Sequence, residues 1–425
     1  MEKFVIEGSV PIRGTVRPSG AKNAALPIMA AALLTTDECV LDNVPLVEDV
    51  RTMAKLLRHL GCQVTIDECE HRVTIKAPDR SELGTAVPLE LARKMRASFL
   101  VTGPVLARAG HVRAPHPGGC SIGSRPVNVD IRSFAAMGAT VGLSDNQYDL
   151  RAQQLRGDRI YLDYPSHTGT ENVLLAATLA HGTTLLKHAS AEPEVADVAA
   201  CLKQMGARIR GIGTSYLEIE GVDELHGVRY SVMPDRIEAG TFAIAAAISG
   251  GEVTIRDLVA DHMDPLTHKL RETGAEVEHD NSDYIVRGRR PLRAVEVQTL
   301  HFPGFPTDLQ AAFATLLTQA EGTSLIHERV YDGRLLYAEE LRKMGACVEV
   351  VGQSATIFGP SHLTGGIVRA LDIRSGAALI LAALAADGKT EIRDIFHVDR
   401  GYENVETKLR GLGVQIERVS EYALT

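Results

Sequence analysis

The chain has 425 residues, a formal net charge of −9 and 45% apolar residues. No 18-residue stretch lacks a charged residue, so a membrane-spanning helix is excluded, and the acidic balance argues against a nucleic-acid partner. Residues 1–4 are expected to begin a strand and not a signal peptide. Six scattered cysteines without a CxxC pair indicate a reducing cytoplasm and no zinc cluster.

One sequence unit occurs six times along the chain. Each copy passes from a short alternating hairpin to an apolar helix, a strand and a more amphipathic helix, and ends at a glycine. A left-handed helix cap is expected at these glycines, which are Gly61, Gly138, Gly206, Gly274, Gly345 and Gly413. The order predicts a βαβαββ unit with a period longer than that of solenoid repeats. Six such units favour an α/β protein of two domains with three units each.

The predicted elements follow this order along the chain. Apolar helices are expected at 24–34, 171–179, 242–248 and 376–386. Amphipathic helices are expected at 50–60 and 195–205, and strands at 183–187 and 252–256. Because no low-complexity linker separates the halves, the domain boundary is placed near Val232-Met233-Pro234, before the helix of the fourth unit.

Basic residues stand at the start of four predicted helices. They are Lys22, Arg96, Arg236 and Arg374. A cation at a helix N-terminus is unfavourable by itself, whereas exposed N–H groups together with a cation form a site for phosphate or carboxylate. Alternatively, each cation pairs with a nearby acid. The candidate acids are Asp235 or Glu238 for Arg236, and Asp372 for Arg374. Recurrence at the same place in four units favours anion binding.

The segment from Pro115 to Arg132 is rich in glycine and proline, which predicts a loop that can reposition over a ligand. It matches neither a P-loop nor a dinucleotide-binding turn. Cys120 lies in this loop with arginine nearby, a setting that favours a reactive thiol, although a packed, inert thiol is the alternative. The remaining cysteines are interpreted as inert packed thiols: Cys39, Cys62, Cys69, Cys201 and Cys347.

An acid, Asp308, heads the helix of the fifth unit, where the other units carry cations. A carboxylate beside bound anions is suited to deprotonate a hydroxyl, while a helix cap or a first-turn acid is the alternative role. Arg334 and Arg400 lie in loop-like contexts before helices. They are further candidates for anion binding, with surface cations as the alternative.

Six motifs carry a resemblance to a known family. They are Ser19-Gly20-Ala21-Lys22-Asn23, Met95-Arg96-Ala97-Ser98, Pro117-Gly118-Gly119-Cys120, Pro234-Asp235-Arg236-Ile237-Glu238, Phe305-Pro306-Thr307-Asp308 and Asp399-Arg400-Gly401-Tyr402-Glu403. With them the chain closely resembles the UDP-N-acetylglucosamine 1-carboxyvinyltransferases over essentially its whole length. The resemblance implies an inside-out α/β barrel of two domains, each with three βαβαββ repeats in pseudo-threefold symmetry, and an active site in the interdomain cleft. It places the first domain at 22–232 and forms the second from 1–21 and 233–425.

The resemblance also implies a reaction. The enolpyruvyl group of phosphoenolpyruvate would pass to the 3-hydroxyl of UDP-N-acetylglucosamine through a tetrahedral adduct, in the first committed step of peptidoglycan synthesis. No metal or other cofactor is implied. Arg334 and Arg374 would hold the carboxylate of phosphoenolpyruvate. Its phosphate would be held by Lys22, Arg96, Arg125 and Arg400.

Three residues are implied in catalysis. Asp308 would be the base, Cys120 would protonate the methylene carbon or assist product release, and Lys22 would act beside the phosphate. The residues implied in binding the nucleotide sugar are Asn23, Arg96, Arg125, Pro126, Asn128, Ser166, Asp308 and Val330. The implied protein is a cytoplasmic transferase of cell-wall biogenesis, cell shape and cell division.

The chain departs from the family pattern mostly at the nucleotide end. Asn128 stands where the family usually has aspartate, and Asp130 where histidine is usual. Ser166-His167-Thr168-Gly169-Thr170 replaces a Ser-Val-Gly-Ala-Thr segment, and Tyr331-Asp332-Gly333-Arg334-Leu335 replaces an Asn-Arg-Phe context. These changes leave the transfer chemistry intact and bear on the choice of nucleotide sugar.

Rival interpretations remain at the level of sequence. A related enzyme acting on shikimate 3-phosphate would share the fold but lacks the Pro-Gly-Gly-Cys loop. An enolpyruvyl transferase for another uridine nucleotide or sugar, or a nucleotide-binding paralogue without turnover, stays open. RNA-end cyclases use a related unit, but the chain lacks a basic stripe.

Overall fold

The computed structural model of the protein describes residues 2–118, 126–280 and 283–420. The α-helices in this part of the chain are α1 Lys22–Ala31, α2 Glu48–His59, α3 Leu89–Lys94, α4 Thr102–Ala109, α5 Asn128–Ala136, α6 His167–Ala177, α7 Pro193–Gln204, α8 Arg236–Ser249, α9 Asp264–Thr273, α10 Gln310–Leu317, α11 Tyr337–Lys343, α12 Ile373–Ala385, α13 Phe396–Asp399 and α14 Val405–Gly411. Short 3₁₀ helices span Ala32–Leu34, Arg96–Val101, Ala260–Met263 and Thr307–Leu309. None of the described helices is long and apolar enough to cross a membrane.

The strands alternate with these helices. They are β1 Glu2–Glu7, β2 Arg13–Val16, β3 Glu38–Asp42, β4 Gln63–Asp67, β5 Arg72–Lys76, β6 His111–Pro115, β7 Thr140–Ser144, β8 Gln147–Arg151, β9 Arg159–Tyr161, β10 Thr183–Lys187, β11 Arg208–Arg210, β12 Tyr216–Glu220, β13 Arg229–Ser231, β14 Glu252–Arg256, β15 Glu276–His279, β16 Asp283–Arg287, β17 Leu292–Arg293, β18 Glu296–Gln298, β19 Ala320–His327, β20 Cys347–Val351, β21 Ser354–Gly359, β22 Ile367–Arg369, β23 Lys389–Arg393 and β24 Gln415–Ser420.

The described residues fall into two compact units. We call residues 20–118 and 126–233 the N-terminal unit, and residues 2–19, 234–280 and 283–420 the C-terminal unit. The family resemblance places the first domain at 22–232, and the N-terminal unit begins at 20 and ends at 233. Each unit contains its own hydrophobic core.

The N-terminal unit contains three sheets, with strand orders β13-β3-β5-β4, β6-β8-β7 and β9-β10-β12-β11. Buried and more exposed side chains alternate along β10. One face of its sheet therefore packs on the core and the other faces solvent, as expected of a half-buried strand. Helices α1 and α6 are buried along most of their length. Residues of α1 after its first turn and residues 173–177 of α6 are apolar, as expected of buried helices. Helix α6 packs against both α1 and α4 at the centre of the unit.

The C-terminal unit repeats this plan with three further sheets, β22-β23-β1-β24, β2-β14-β16-β15 and β17-β19-β21-β20, with β18 paired to β19. Strand β1 is antiparallel to both β23 and β24, and β2 is parallel to β14. The first residues of the chain therefore complete two sheets of this unit. Its buried helices α8, α10 and α12 pack against one another.

The six glycines that end the sequence units adopt the predicted left-handed conformation. All six have φ between 93° and 108°, a backbone conformation that side chains other than glycine rarely adopt. The predicted strands at 183–187 and 252–256 are confirmed as β10 and β14. The helix predicted at 242–248 is the interior of α8, which begins six residues earlier because its first turn is polar and is capped by Asp235.

Candidate active site

Asp308 and two arginines form an ionic cluster in the C-terminal unit. Asp308 lies in the 3₁₀ turn Thr307–Leu309 before α10, Arg374 is the second residue of α12, and Arg334 precedes α11. Asp308 Oδ1 accepts a hydrogen bond from Arg334 Nη2 at 2.6 Å. Its other oxygen, Oδ2, accepts from Arg374 Nη2 at 2.7 Å. The structure therefore brings together three of the predicted site residues.

Burial strengthens the ion pairs between Asp308 and the two arginines. Arg334 and Arg374 are only 6% and 5% exposed. Burial alone favours the protonated acid, but the two guanidinium groups hold the pKa of Asp308 well below its usual range. The N-cap positions of this turn and of α10 are Pro306 and Leu309, and neither makes a side-chain capping hydrogen bond. Asp308 is therefore not the N-cap of its turn, and both of its carboxylate oxygens bind the arginines. It does lie in the first turn of the 3₁₀ helix, which is the other structural role that the sequence suggests for it.

An aromatic ring lies beside each of the two arginine side chains. The Arg334 guanidinium lies 5.3 Å from the centre of the Tyr331 ring, and that of Arg374 lies 5.5 Å from the Tyr402 ring. Asp372 does not pair with the Arg374 side chain, as one alternative held. It caps α12 instead and accepts hydrogen bonds from the first backbone N–H groups. The arginine side chains are thus fixed by packing against their own unit.

Glu328 is a residue of this cluster that sequence reasoning missed. It is fully buried, and its Oε1 accepts hydrogen bonds from the backbone N–H groups of Val330 and Tyr331 at 2.7 and 3.1 Å. Its Oε2 accepts from Thr307 Oγ1 at 2.8 Å, and Thr307 Oγ1 accepts in turn from Arg334 Nη1 at 3.0 Å. Glu328 therefore connects the turn that carries Asp308 to the loop that carries Arg334. The strand before it, β19, is of mixed polarity, and no sequence signal marked this acid.

The remaining predicted cations are placed separately. Lys22 begins α1 in the N-terminal unit, is buried, and donates to Asp49 Oδ2 at 3.2 Å, while Asn23 follows it in the same helix. Arg400 follows α13 in the C-terminal unit. Arg236 begins α8 with its guanidinium 5.6 Å from the Phe302 ring centre. Cys120 and Arg125 lie outside the described residues.

The predicted nucleotide end lies in the N-terminal unit. Arg96 Nη2 donates to the backbone carbonyl of Pro126 at 3.3 Å, and Asn128 begins α5 two residues later. Asn128 Oδ1 is buried and has no hydrogen-bond partner among the described residues. Ser166 caps α6, since its Oγ accepts from the backbone N–H of Gly169 at 3.1 Å. Among these side chains, Asn128 thus presents a buried acceptor.

A buried polar network lies behind this end of the unit. Asp130 is 2% exposed and accepts a hydrogen bond from Asn172 Nδ2 at 2.8 Å, and burial raises the pKa of Asp130 to about 6. His167 contacts Glu171 at 3.0 Å. Burial opposes protonation of the imidazole, but the adjacent Glu171 carboxylate raises the pKa of His167 to about 9. Asn172, a polar residue inside an apolar helix, was not recognised from the sequence.

The cysteines differ in exposure. Cys39, Cys62 and Cys201 are buried, as predicted, and burial raises the pKa of Cys39 to about 11 and that of Cys62 to about 12. Cys69 and Cys347 are exposed, so their interpretation as packed thiols is wrong. Cys69 lies in the turn between β4 and β5, and Cys347 occupies an outward position at the start of β20.

Comparison with known proteins gives the family. The family described as EPSP synthase (3-phosphoshikimate 1-carboxyvinyltransferase) matches residues 6–409. UDP-N-acetylglucosamine 1-carboxyvinyltransferase 2 of Carboxydothermus hydrogenoformans is 48% identical over 99% of this chain and 100% of its own. UDP-N-acetylglucosamine 1-carboxyvinyltransferase 1 of Caldanaerobacter subterraneus subsp. tengcongensis is 46% identical over 98% of this chain and 99% of its own.

A solved structure agrees with this assignment. The enolpyruvyl transferase NikO from Streptomyces tendae matches with a TM-score of 0.89 at 27% identity, covering 99% of both chains. The predicted two-domain α/β fold class is thereby confirmed. The family suggested by the six motifs is confirmed as well: the chain belongs to the UDP-N-acetylglucosamine 1-carboxyvinyltransferases, within the EPSP synthase family of enolpyruvyl transferases.

Proposed function

We propose that this protein transfers the enolpyruvyl group of phosphoenolpyruvate to the 3-hydroxyl of UDP-N-acetylglucosamine with release of phosphate. The observation that carries the proposal is near-full-length identity of 46% and 48% to relatives named for this activity. The buried arginine pair supports it, because paired guanidinium groups suit a carboxylate ligand. The reaction would be the first committed step of peptidoglycan synthesis, carried out in the cytoplasm by two domains that correspond to the compact units.

The proposed chemistry is an addition followed by an elimination. The sugar oxygen forms a bond to C2 of phosphoenolpyruvate while its proton passes to Asp308, and Cys120 supplies a proton to C3. The tetrahedral adduct then loses a proton from C3 and phosphate from C2, which leaves the enolpyruvyl ether. Asp308 lies beside the arginines that would hold the substrate carboxylate, as a base near the reacting carbon requires.

Several cations are needed because both substrates are anionic. Arg334 and Arg374 would bind the carboxylate of phosphoenolpyruvate. Lys22, Arg96, Arg125 and Arg400 would surround its phosphate. Preorganised cations of this kind offset repulsion between the substrates and stabilise the charge that develops on the leaving phosphate.

The proposal is tested by measuring phosphate release from phosphoenolpyruvate with a panel of acceptors. We expect release with UDP-N-acetylglucosamine and none with shikimate 3-phosphate. Release with another uridine nucleotide alone would assign a different acceptor, in line with Asn128 and Asp130 at the nucleotide end. Absence of release with every acceptor would favour a nucleotide-binding paralogue without turnover.

We predict that Cys120 is the reactive thiol. Fosfomycin, an epoxide that resembles phosphoenolpyruvate, should alkylate Cys120, and faster when UDP-N-acetylglucosamine is present. Cys69 and Cys347 provide internal controls because both are exposed and lie outside the glycine-rich loop. Peptide mass mapping decides the outcome: an adduct on either control cysteine, or no adduct, contradicts the prediction. Cys120→Asp should keep activity and resist alkylation, since a carboxylic acid can also donate a proton.

Asn128→Asp is predicted to tighten binding of UDP-N-acetylglucosamine. The buried Asn128 Oδ1 has no partner among the described residues and would accept the N–H of the uracil ring. A carboxylate accepts more strongly than an amide, so the gain should be about 1 kcal/mol at most, with an unchanged chemical step. Titration calorimetry on both proteins measures it. Equal or weaker binding by the variant would mean that other groups hold the uracil ring or that the true substrate is a different nucleotide.

A further inference from the structure

Asp308 uses only half of the hydrogen-bonding edge of each arginine. In a guanidinium group, two neighbouring N–H donors form a fork that matches the two oxygens of one carboxylate. In Arg334 the Nε–Nη2 edge has Nη2 bound to Asp308 Oδ1, whereas Nε is buried and has no hydrogen-bond partner among the described residues. In Arg374 the Nη1–Nη2 edge has Nη2 bound to Asp308 Oδ2, whereas Nη1 is equally buried and lacks such a partner.

The donors Arg334 Nε and Arg374 Nη1, unpaired among the described residues, indicate that a ligand binds here. A buried donor without a partner costs free energy, and this cluster contains two of them, both on nearly fully buried side chains. A carboxylate that binds either fork with both oxygens needs the Nη2 group that Asp308 holds. Asp308 is the carboxylate that pairs directly with both guanidinium groups, because the oxygens of Glu328 bind Thr307 and backbone N–H groups instead.

We propose that Asp308 occupies a carboxylate-binding site as an internal substitute, and that the substrate carboxylate displaces it from at least one arginine. This inference rests on the proposed function and adds to it a coupling between substrate binding and the release of the base. In the ion-paired state Asp308 is a poor proton acceptor, because the guanidinium groups hold the pKa of Asp308 well below its usual range. Displacement frees the carboxylate for the sugar hydroxyl only when phosphoenolpyruvate is in place.

The coupling makes a prediction that a purely structural or purely basic role does not make. If Asp308 competes with the ligand, the apparent affinity for a carboxylate is reduced by the fraction of protein in which the arginines are occupied. Asp308→Asn removes the competing charge, and binding should become tighter. A residue that only supports the site would weaken binding when changed.

The experiment uses phosphoglycolate, which carries a carboxylate and a phosphate but has no double bond to react. Titration calorimetry should give a dissociation constant about tenfold or more lower for Asp308→Asn than for the wild type. Asp257→Asn is the matched control, because Asp257 is an exposed acid of the same unit, paired with Arg17. Its φ of 58° is well tolerated by asparagine. The control should bind as the wild type does, and equal or weaker binding by Asp308→Asn overturns the inference.

A second measurement uses the wild type, because Asp308→Asn leaves the two buried arginines without a counter-ion. A crystal structure of the wild type with phosphoglycolate should show the ligand carboxylate on Arg334 or Arg374 and at least one Asp308 ion pair broken. A bound ligand with both ion pairs kept at their present distances overturns the inference, even if the enzyme releases phosphate as proposed. Displacement of Asp308 without phosphate release in the acceptor panel would refute the proposed function alone.

Discussion

Asp308→Asn should lower turnover by about two to four orders of magnitude at saturating concentrations of both substrates. The amide has nearly the same shape as the carboxylate, but it cannot take the proton of the 3-hydroxyl. Steady-state measurement of phosphate release gives the turnover number, and tighter binding of phosphoglycolate by the same variant would separate loss of the base from loss of the site. Near-normal turnover would restrict Asp308 to pairing with the arginines.

The same substitution has a structural cost that differs from the expectation for a helix cap. A capping role would predict a stability change of about 1 kcal/mol or less. Because both oxygens pair with buried arginines, loss of the charge should instead lower the free energy of unfolding by about 3 kcal/mol. Urea denaturation measures this value, and turnover must be compared at a temperature where the variant is folded.

The repeat could be recognised from the sequence because glycine marks a conformation that other residues avoid. Each marker glycine occupies the left-handed region after a helix, so the six positions define the units. By contrast, the pairing of β1 with β23 and β24 could not be predicted from a local sequence pattern. It joins the two ends of the chain, and neither hydrophobic period nor turn chemistry specifies such a distant partner. Only the family resemblance placed residues 1–21 with the second domain.

The candidate site also has some features that the sequence predicts and others that it does not. The cations at helix starts were recognised because they recur at one place in the unit, but their partners were not. Asp308 contacts an arginine 66 residues away in sequence. Asp235 and Asp372, which lie close to Arg236 and Arg374 in sequence, cap their own helices. Local spacing predicts capping well, since a cap bonds within its own turn. It does not predict which charges meet across a buried core.

Glu328 shows why supporting residues are harder to find than the residues they support. An acid at the end of a strand is usually a solvated side chain, and no motif distinguishes this one. Its significance comes from complete burial and from four accepted hydrogen bonds, which join Thr299, Thr307, Val330 and Tyr331. A buried carboxylate requires such partners, and these become visible only when the fold brings them together.

Arg374→Leu should lower kcat/KM for phosphoenolpyruvate by about two to four orders of magnitude, mainly through a higher KM. Leucine fills much of the space of the arginine stem but removes one of the two cations proposed to hold the substrate carboxylate. It also leaves Asp308 with Arg334 alone, so the free energy of unfolding should fall by about 3 kcal/mol, as expected when one partner of a buried ion pair is removed. Arg374→Lys keeps the charge without the two-donor fork, and its loss should be smaller, about tenfold.

Arg369→Leu is the matched control for this prediction. Arg369 lies in the same unit, five residues earlier, but its side chain is 59% exposed and pairs with Asp394 at the surface. Removing an exposed pair of this kind should change stability by about 1 kcal/mol or less and leave the kinetics unchanged. Initial rates at varied phosphoenolpyruvate, together with urea denaturation of all three variants, test the prediction. A normal KM in Arg374→Leu would show that the carboxylate is bound elsewhere, because the remaining arginine is already shared with Asp308.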